Sequence, residues 1–180
     1  MDYYNTYTKF NNASYPNFSN DTKQASEMTI AIEKNYIETN RNDALEDAIM
    51  MIKASIASEK DDEIFYSVLL SQAPTEEDKK IIMSIINDEK KHNKMFKELY
   101  QELTKQTLPQ SMMSRSNNSS SEYLKNLEKA LFGELAAVEK YRQIMAAMPD
   151  KKKYSMLMEI MTDELKHANK YNFLIAKNMK

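Results

Sequence analysis

From Asp43 onward, apolar residues return at steps of three and four. Leu45, Ile49, Ile52, Ile56, Tyr66 and Leu70 fall on one face of a helix predicted over 43–72, and Ile82, Ile85, Phe96, Leu99 and Leu103 do the same over 75–104. After a gap the pattern resumes with Leu124, Leu127, Leu131, Val138, Tyr141 and Met145 over 120–147, then with Leu157, Ile160, Tyr171 and Leu174 over 150–177. Each stripe can bury one face and leave the other to Lys, Glu and Asp, which predicts an all-α bundle over 43–178. Asn42 or Asp43 is a candidate N-cap for the first helix, Thr75 for the second and Asp150 for the fourth, the last two directly behind Pro74 and Pro149. Residues 1–42 form a polar extension rich in Asn and Tyr, with a weakly amphipathic stretch at 25–38 (Met28, Ile32, Tyr36) that can form a short helix.

The stripes are interrupted by charge in a repeated way. Glu59 is followed thirty residues later by Glu89 and then His92; Glu134 is followed thirty residues later by Glu164 and then His167. The two histidines are the only ones in the chain, and the two halves align without a gap at an offset of 75 residues, as in an internal duplication. Residues three apart on a helix share a face, so Glu89 with His92, and Glu164 with His167, can each reach one metal ion. Pro74 and Pro149 lie midway between each lone Glu and its Glu-x-x-His. If each proline marks a tight turn between antiparallel helices, fifteen residues at ~1.5 Å rise place both partners at roughly the same height. Four carboxylates and two imidazoles then converge at mid-bundle, a ligand set for two transition-metal ions.

This doubled motif resembles the ferritin-like di-iron carboxylate superfamily and, within it, proteins of rubrerythrin type, over residues 43–178. The resemblance implies a four-helix bundle of two antiparallel pairs joined by a long crossover. The Pro-, Ser- and Asn-rich connector 104–121 suits that role, since it can extend to roughly 60 Å, although a linker for helix-pair exchange in a homodimer is the alternative. By the same resemblance, Glu89 and Glu164 would bridge two iron ions, with Mn or Zn as alternatives. Glu59 and Glu134 would be terminal ligands, and His92 and His167 would bind one ion each. Tyr66 and Tyr141 match tyrosines that hydrogen-bond ligand carboxylates, and Asp88 and Asp163 match aspartates that orient the imidazoles. Where two-domain rubrerythrins carry a further carboxylate, this chain has Ala137 and Val138, and Glu63 is the candidate replacement.

Reduction of peroxide or O2, with electrons supplied in trans by an external donor, is the activity the resemblance implies. Ferroxidase or iron storage, manganese catalase, and a metal-binding structural or coat-type role are the other readings. The rest of the composition narrows the field. A formal net charge of -2 and a pI near 5.8 give no electrostatic case for nucleic acid or an anionic membrane. No apolar run reaches the ~18 residues of a membrane span, and the first residues lack a basic-then-apolar signal, so a cytoplasmic protein is expected. The absence of cysteine excludes disulfides, iron–sulfur clusters and a rubredoxin-type iron site on these 180 residues. One glycine, four prolines and fourteen methionines favour helices with adaptable cores.

Overall fold

The structure, a computed structural model, describes residues 18–108 and 122–179; the side chains of residues 18–25 and 59–61 lie outside that description. Among the described residues it is helical throughout: α1 (Phe18–Ala57), α2 (Glu59–Gln72), α3 (Glu76–Thr104), α4 (Tyr123–Ala146) and α5 (Lys151–Asn178). The chain divides into two compact units, one up to Arg41 and one from Asn42 onward. In the first, every described side chain from Ser26 to Arg41 is exposed, including Met28, Ile32 and Tyr36. The short helix expected at 25–38 is therefore part of α1. Asn42 and Asp43 cap nothing, because the helix runs through them.

The single helix expected over 43–72 is broken at Ser58. Two serines explain the break: Ser55 Oγ donates to the carbonyl of Met51 and Ser58 Oγ to that of Ser55, each at 3.0 Å, and such back-bonding competes with the helical ladder. The break also shifts the helical phase. Ile52 and Ile56 are buried as the stripe predicts, while Leu45 and Ile49 are half-buried and Ala48, outside the stripe, is buried; beyond Ser58 it is Leu69 that is fully buried, while Leu70 is half-buried and Glu63 is exposed.

In the second unit α2 packs on α3 and α4, and α5 packs on α3 and α4, closing a ring of four. Two apolar clusters fill it. One joins Ile52 and Ile56 to Phe96 and Leu99 of α3, Ile144 of α4, and Leu157 and Ile160 of α5. The other joins Leu69 to Ile82 and Ile85, Leu127, and Tyr171 and Leu174. The first half of α3 thus shares a cluster with the first half of α4 and the last half of α5. So α3 and α4 run in the same direction and α5 runs against them, the ferritin-like arrangement that a connector traversing the bundle requires. Residues 109–121 of that connector lie outside the described residues.

Helix ends are tied by the residues that start them. Thr75 Oγ1 accepts from the Asp78 amide and donates to the Asp78 carboxylate at 2.8 Å, while Asp150 accepts from the Lys153 amide at 3.0 Å. Asp78 is fully buried and also receives Lys177 Nζ at 2.6 Å and Asn178 Nδ2 at 2.9 Å, which fastens the end of α5 to the start of α3. Burial alone would raise the Asp78 carboxyl, but Lys177, Thr75 and Asn178 outweigh it and hold it below its ordinary 3.8. A carboxyl lowered in the folded state stabilises above its ordinary value and loses that effect as pH falls. Asp78→Asn is therefore expected to cost about 1–3 kcal/mol at pH 7, with the difference from the wild type shrinking below pH 3.8. Urea titrations at neutral and acid pH measure this, and a pH-independent difference would contradict it.

Candidate metal centre

Between the two apolar clusters lies a layer of charge. Glu134, Glu164, His92 and His167 are buried, and Glu89 is half-buried. Helical periodicity puts them there: Ile82, Ile85, His92, Phe96 and Leu99 form one continuous buried face of α3, as do Leu157, Ile160, Glu164, His167, Tyr171 and Leu174 on α5. The apolar neighbours on each side carry the polar residues inward.

Glu89, Glu134, Glu164 and His167 each offer a ligand atom, and those four atoms lie within 4.8 Å of one another. His167 Nδ1 is 3.0 Å from Glu89, 3.3 Å from Glu164 and 3.9 Å from Glu134. His92 Nδ1 is 3.3 Å from Glu164 and 3.6 Å from Glu89. Glu89 and Glu164 therefore lie between the two imidazoles, whose ring centres are 5.7 Å apart, while Glu134 approaches only His167. Glu59, at the position equivalent to Glu134, opens α2, and its side chain lies outside the described residues.

Both rings turn Nδ1 inward and Nε2 outward. His92 Nε2–H donates to Asp163 and His167 Nε2–H to Asp88, each at 3.1 Å, so the aspartate of one half orients the histidine of the other. Lys166 ties the two pairs together, 2.6 Å from Asp163 and 3.2 Å from Asp88. With the Nε2 proton held by a carboxylate, Nδ1 is left as the metal-binding nitrogen.

Tyr66 and Tyr141 flank the cluster, and among the described residues neither donates to Glu89, Glu134 or Glu164. Those carboxylates turn toward the imidazoles instead, and Tyr141 engages Ser55. Burial, and then the nearby glutamates, push both phenols well above 10, so they stay protonated. Glu63 is not brought to the cluster. It is exposed and lines the outer part of the adjoining cavity, a consequence of the break at Ser58.

The residues present fit a pair of divalent ions. Glu89 Oε1, Glu164 Oε1 and His92 Nδ1 are buried without a hydrogen-bond partner although they lie close together, the pattern of groups arranged around cations. Mixed carboxylate and imidazole donors suit Fe(II), Mn(II) or Zn(II). In the metal-free chain, protons supply the positive charge. Burial disfavours the His92 imidazolium, but Glu164 and Glu89 outweigh it and push it up to about 10. Burial of His167 is outweighed by Glu134, Glu164 and Glu89, which push it up to about 12. Burial followed by repulsion from Glu164 and Glu89 raises the Glu134 carboxyl well above 4.5, whereas His167 and His92 overcome burial to lower that of Glu164.

A helical bundle that directs Glu-x-x-His pairs from two helices and a further Glu from a third into one buried layer defines the ferritin-like class, with a candidate carboxylate metal site. Within that class the chain belongs to the rubrerythrin family, whose pattern matches residues 51–175. No curated protein matches it. Among solved structures it is similar to a conserved hypothetical protein, rv2844, from Mycobacterium tuberculosis. The TM-score is 0.57 and the identity 13%, over 76% of this chain and 97% of that one, a likeness of fold alone.

Sequence reasoning did not single out Lys166, Asn93 or Gly133, all of which lie at the centre or its cavity. The signal for Gly133 was present, since it is the one glycine of the chain and directly precedes Glu134.

Because both imidazoles hold their protons at pH 7 without metal and the Glu134 carboxyl is also raised, uptake of Zn(II) is expected to release at least about two protons per dinuclear site. Calorimetry in two buffers of different ionisation enthalpy measures this, and a buffer-independent heat would contradict it. Asp88→Asn and Asp163→Asn are each expected to weaken metal binding roughly 10–100-fold, the first acting through His167 and the second through His92. Competition with a chelator is the measurement, and unchanged affinity in both variants would refute the orienting role.

Proposed function

We propose that this chain is a dinuclear metal redox protein that reduces peroxide with electrons delivered by an external donor. The observation that carries the reading is the placement of Glu89 and Glu164 between two inward-facing Nδ1 atoms, each ring fixed from behind by an aspartate of the opposite half. Glu89 and Glu164 would bridge, Glu134 would pair with His167, and Glu59 with His92. Two bound iron ions would supply the two electrons that cleavage of a peroxide O–O bond consumes.

The chain's own residues prepare that chemistry. Asp88 and Asp163 hold the imidazole protons at Nε2. Tyr66 and Tyr141 remain neutral phenols beside the carboxylates and add no further negative charge. Apolar clusters lie above and below the layer, and among the described residues the carboxylates face a cavity lined by α2 and α4. Among the described residues no helix is long and apolar enough to cross a membrane.

Glu89→Ala and His167→Ala are expected to lose bound metal and to lower the melting temperature in metal-replete buffer, because metal that binds only the folded state stabilises it. Elemental analysis of protein purified without added metal, followed by peroxide consumption with and without a reductant, tests the function. Consumption that requires the reductant is the expected result. Consumption without it would indicate a catalase, and stoichiometric iron loading into cage-sized particles would indicate storage. Unchanged metal content and melting curves in both variants would refute the centre itself.

A further inference from the structure

The carboxylates open onto a cavity of about 560 Å³. Hydrogen peroxide and dioxygen are each close to the size of a water molecule, whose share of liquid volume is about 30 Å³. Two metal ions and so small a ligand would leave most of the space over. The volume lies instead within the ~300–1,000 Å³ of pockets that take organic molecules.

Two residues keep this space in an arrangement that packing does not require. Gly133 lies inside α4, where glycine is less favourable than alanine, and it does not have the positive φ that would call for glycine. A Cβ there would meet nothing within 4 Å outside its own stretch of helix. The missing side chain leaves open room beside Glu134, in a wall continued by Ala130 and Ala137. The second residue is Asn93, which lines the same cavity, is 8% exposed, and has an Oδ1 without a hydrogen-bond partner. A buried amide oxygen in that state is destabilising. Its counterpart 75 residues on is Ala168, equally buried, so the slot itself does not demand an amide.

We propose that the cavity is a pocket for an organic hydroperoxide, ROOH, with an uncharged alkyl or aryl R group. R packs on Phe65, Ile86 and the small-residue wall of α4, and the hydroperoxide O–H donates to Asn93. The outer lining carries both signs, Asp62 and Glu63 against Lys129 and Lys140, and so selects no charge on R. The assignment rests on the peroxide-reducing reading and names its substrate class. The O–O bond breaks; ROOH takes up two electrons, delivered singly by an electron-carrier protein, and two protons from solvent, giving ROH and water.

Zn(II)-loaded protein, which is redox-silent, separates binding from turnover. Titrated with cumyl alcohol, the product of cumene hydroperoxide reduction, it is expected to bind one molecule per chain. Gly133→Leu and, independently, Ala137→Leu should weaken that binding about tenfold or more with zinc content retained, whereas Gly133→Ala should have a smaller effect. In iron-loaded protein the ratio of kcat/KM for cumene hydroperoxide to that for hydrogen peroxide should fall in the two leucine variants. Absence of saturable binding, or binding that both leucine variants leave unchanged, would overturn the pocket even if hydrogen peroxide is reduced. Saturable binding without turnover of any hydroperoxide would overturn the peroxide reading, and with it the substrate class.

Discussion

Buried like charge is the constraint on which the rest of this molecule depends. Glu134 and Glu164 are almost wholly withdrawn from water, with Glu89 beside them, in the layer that separates two apolar clusters. Carboxylates so placed repel one another and lose hydration, and no arrangement of apolar neighbours compensates for both losses. Positive charge must enter the same layer. In the metal-free chain it is carried by two imidazolium groups, whose protonation these carboxylates themselves sustain. Metal ions can take over that role only by displacing those protons. Holding the fold together and binding metal are consequently one electrostatic problem with two solutions.

Much of this was legible in the sequence because it is governed by helical period. The spacing of Glu89 and His92, repeated at Glu164 and His167, fixes which face each of these four residues occupies. Along α5 the stripe from Leu157 to Leu174 required no correction. Thr75 and Asp150 act as the caps their positions suggest, since capping is decided by neighbours within one turn. The connector's composition and length pointed to a traverse of the bundle, and the shared clusters of α3 and α4 agree with it.

What the sequence concealed depends on competition rather than period. Serines are tolerated on helix surfaces, so nothing in the periodic stripe showed that Ser55 and Ser58 would take backbone carbonyls and divide the first helix. The resulting phase shift sends Glu63 outward, although its spacing from Glu59 suggested an inward ligand. The extension before Asn42 is polar, but helix continuity does not need an apolar stripe, and α1 runs through it from Phe18. The aspartates preceding Glu89 and Glu164 were visible, yet that each serves the histidine of the opposite half follows only from the packing of α3 on α5.

The duplication explains why the two sides of the centre differ. On the α3 and α5 side the halves remain matched, with Asp88 and Asp163 each 3.1 Å from the partner histidine. Each imidazole on that side is therefore held from behind in the same way. Around the cavity the halves have separated: Gly133 stands where the first half has Ser58, Lys140 where it has Phe65, and Asn93 where the second half has Ala168. A two-fold pocket would present two identical half-sites to a substrate that has only one end to reduce. Loss of symmetry around the cavity fits the proposed organic hydroperoxide, whose two ends differ.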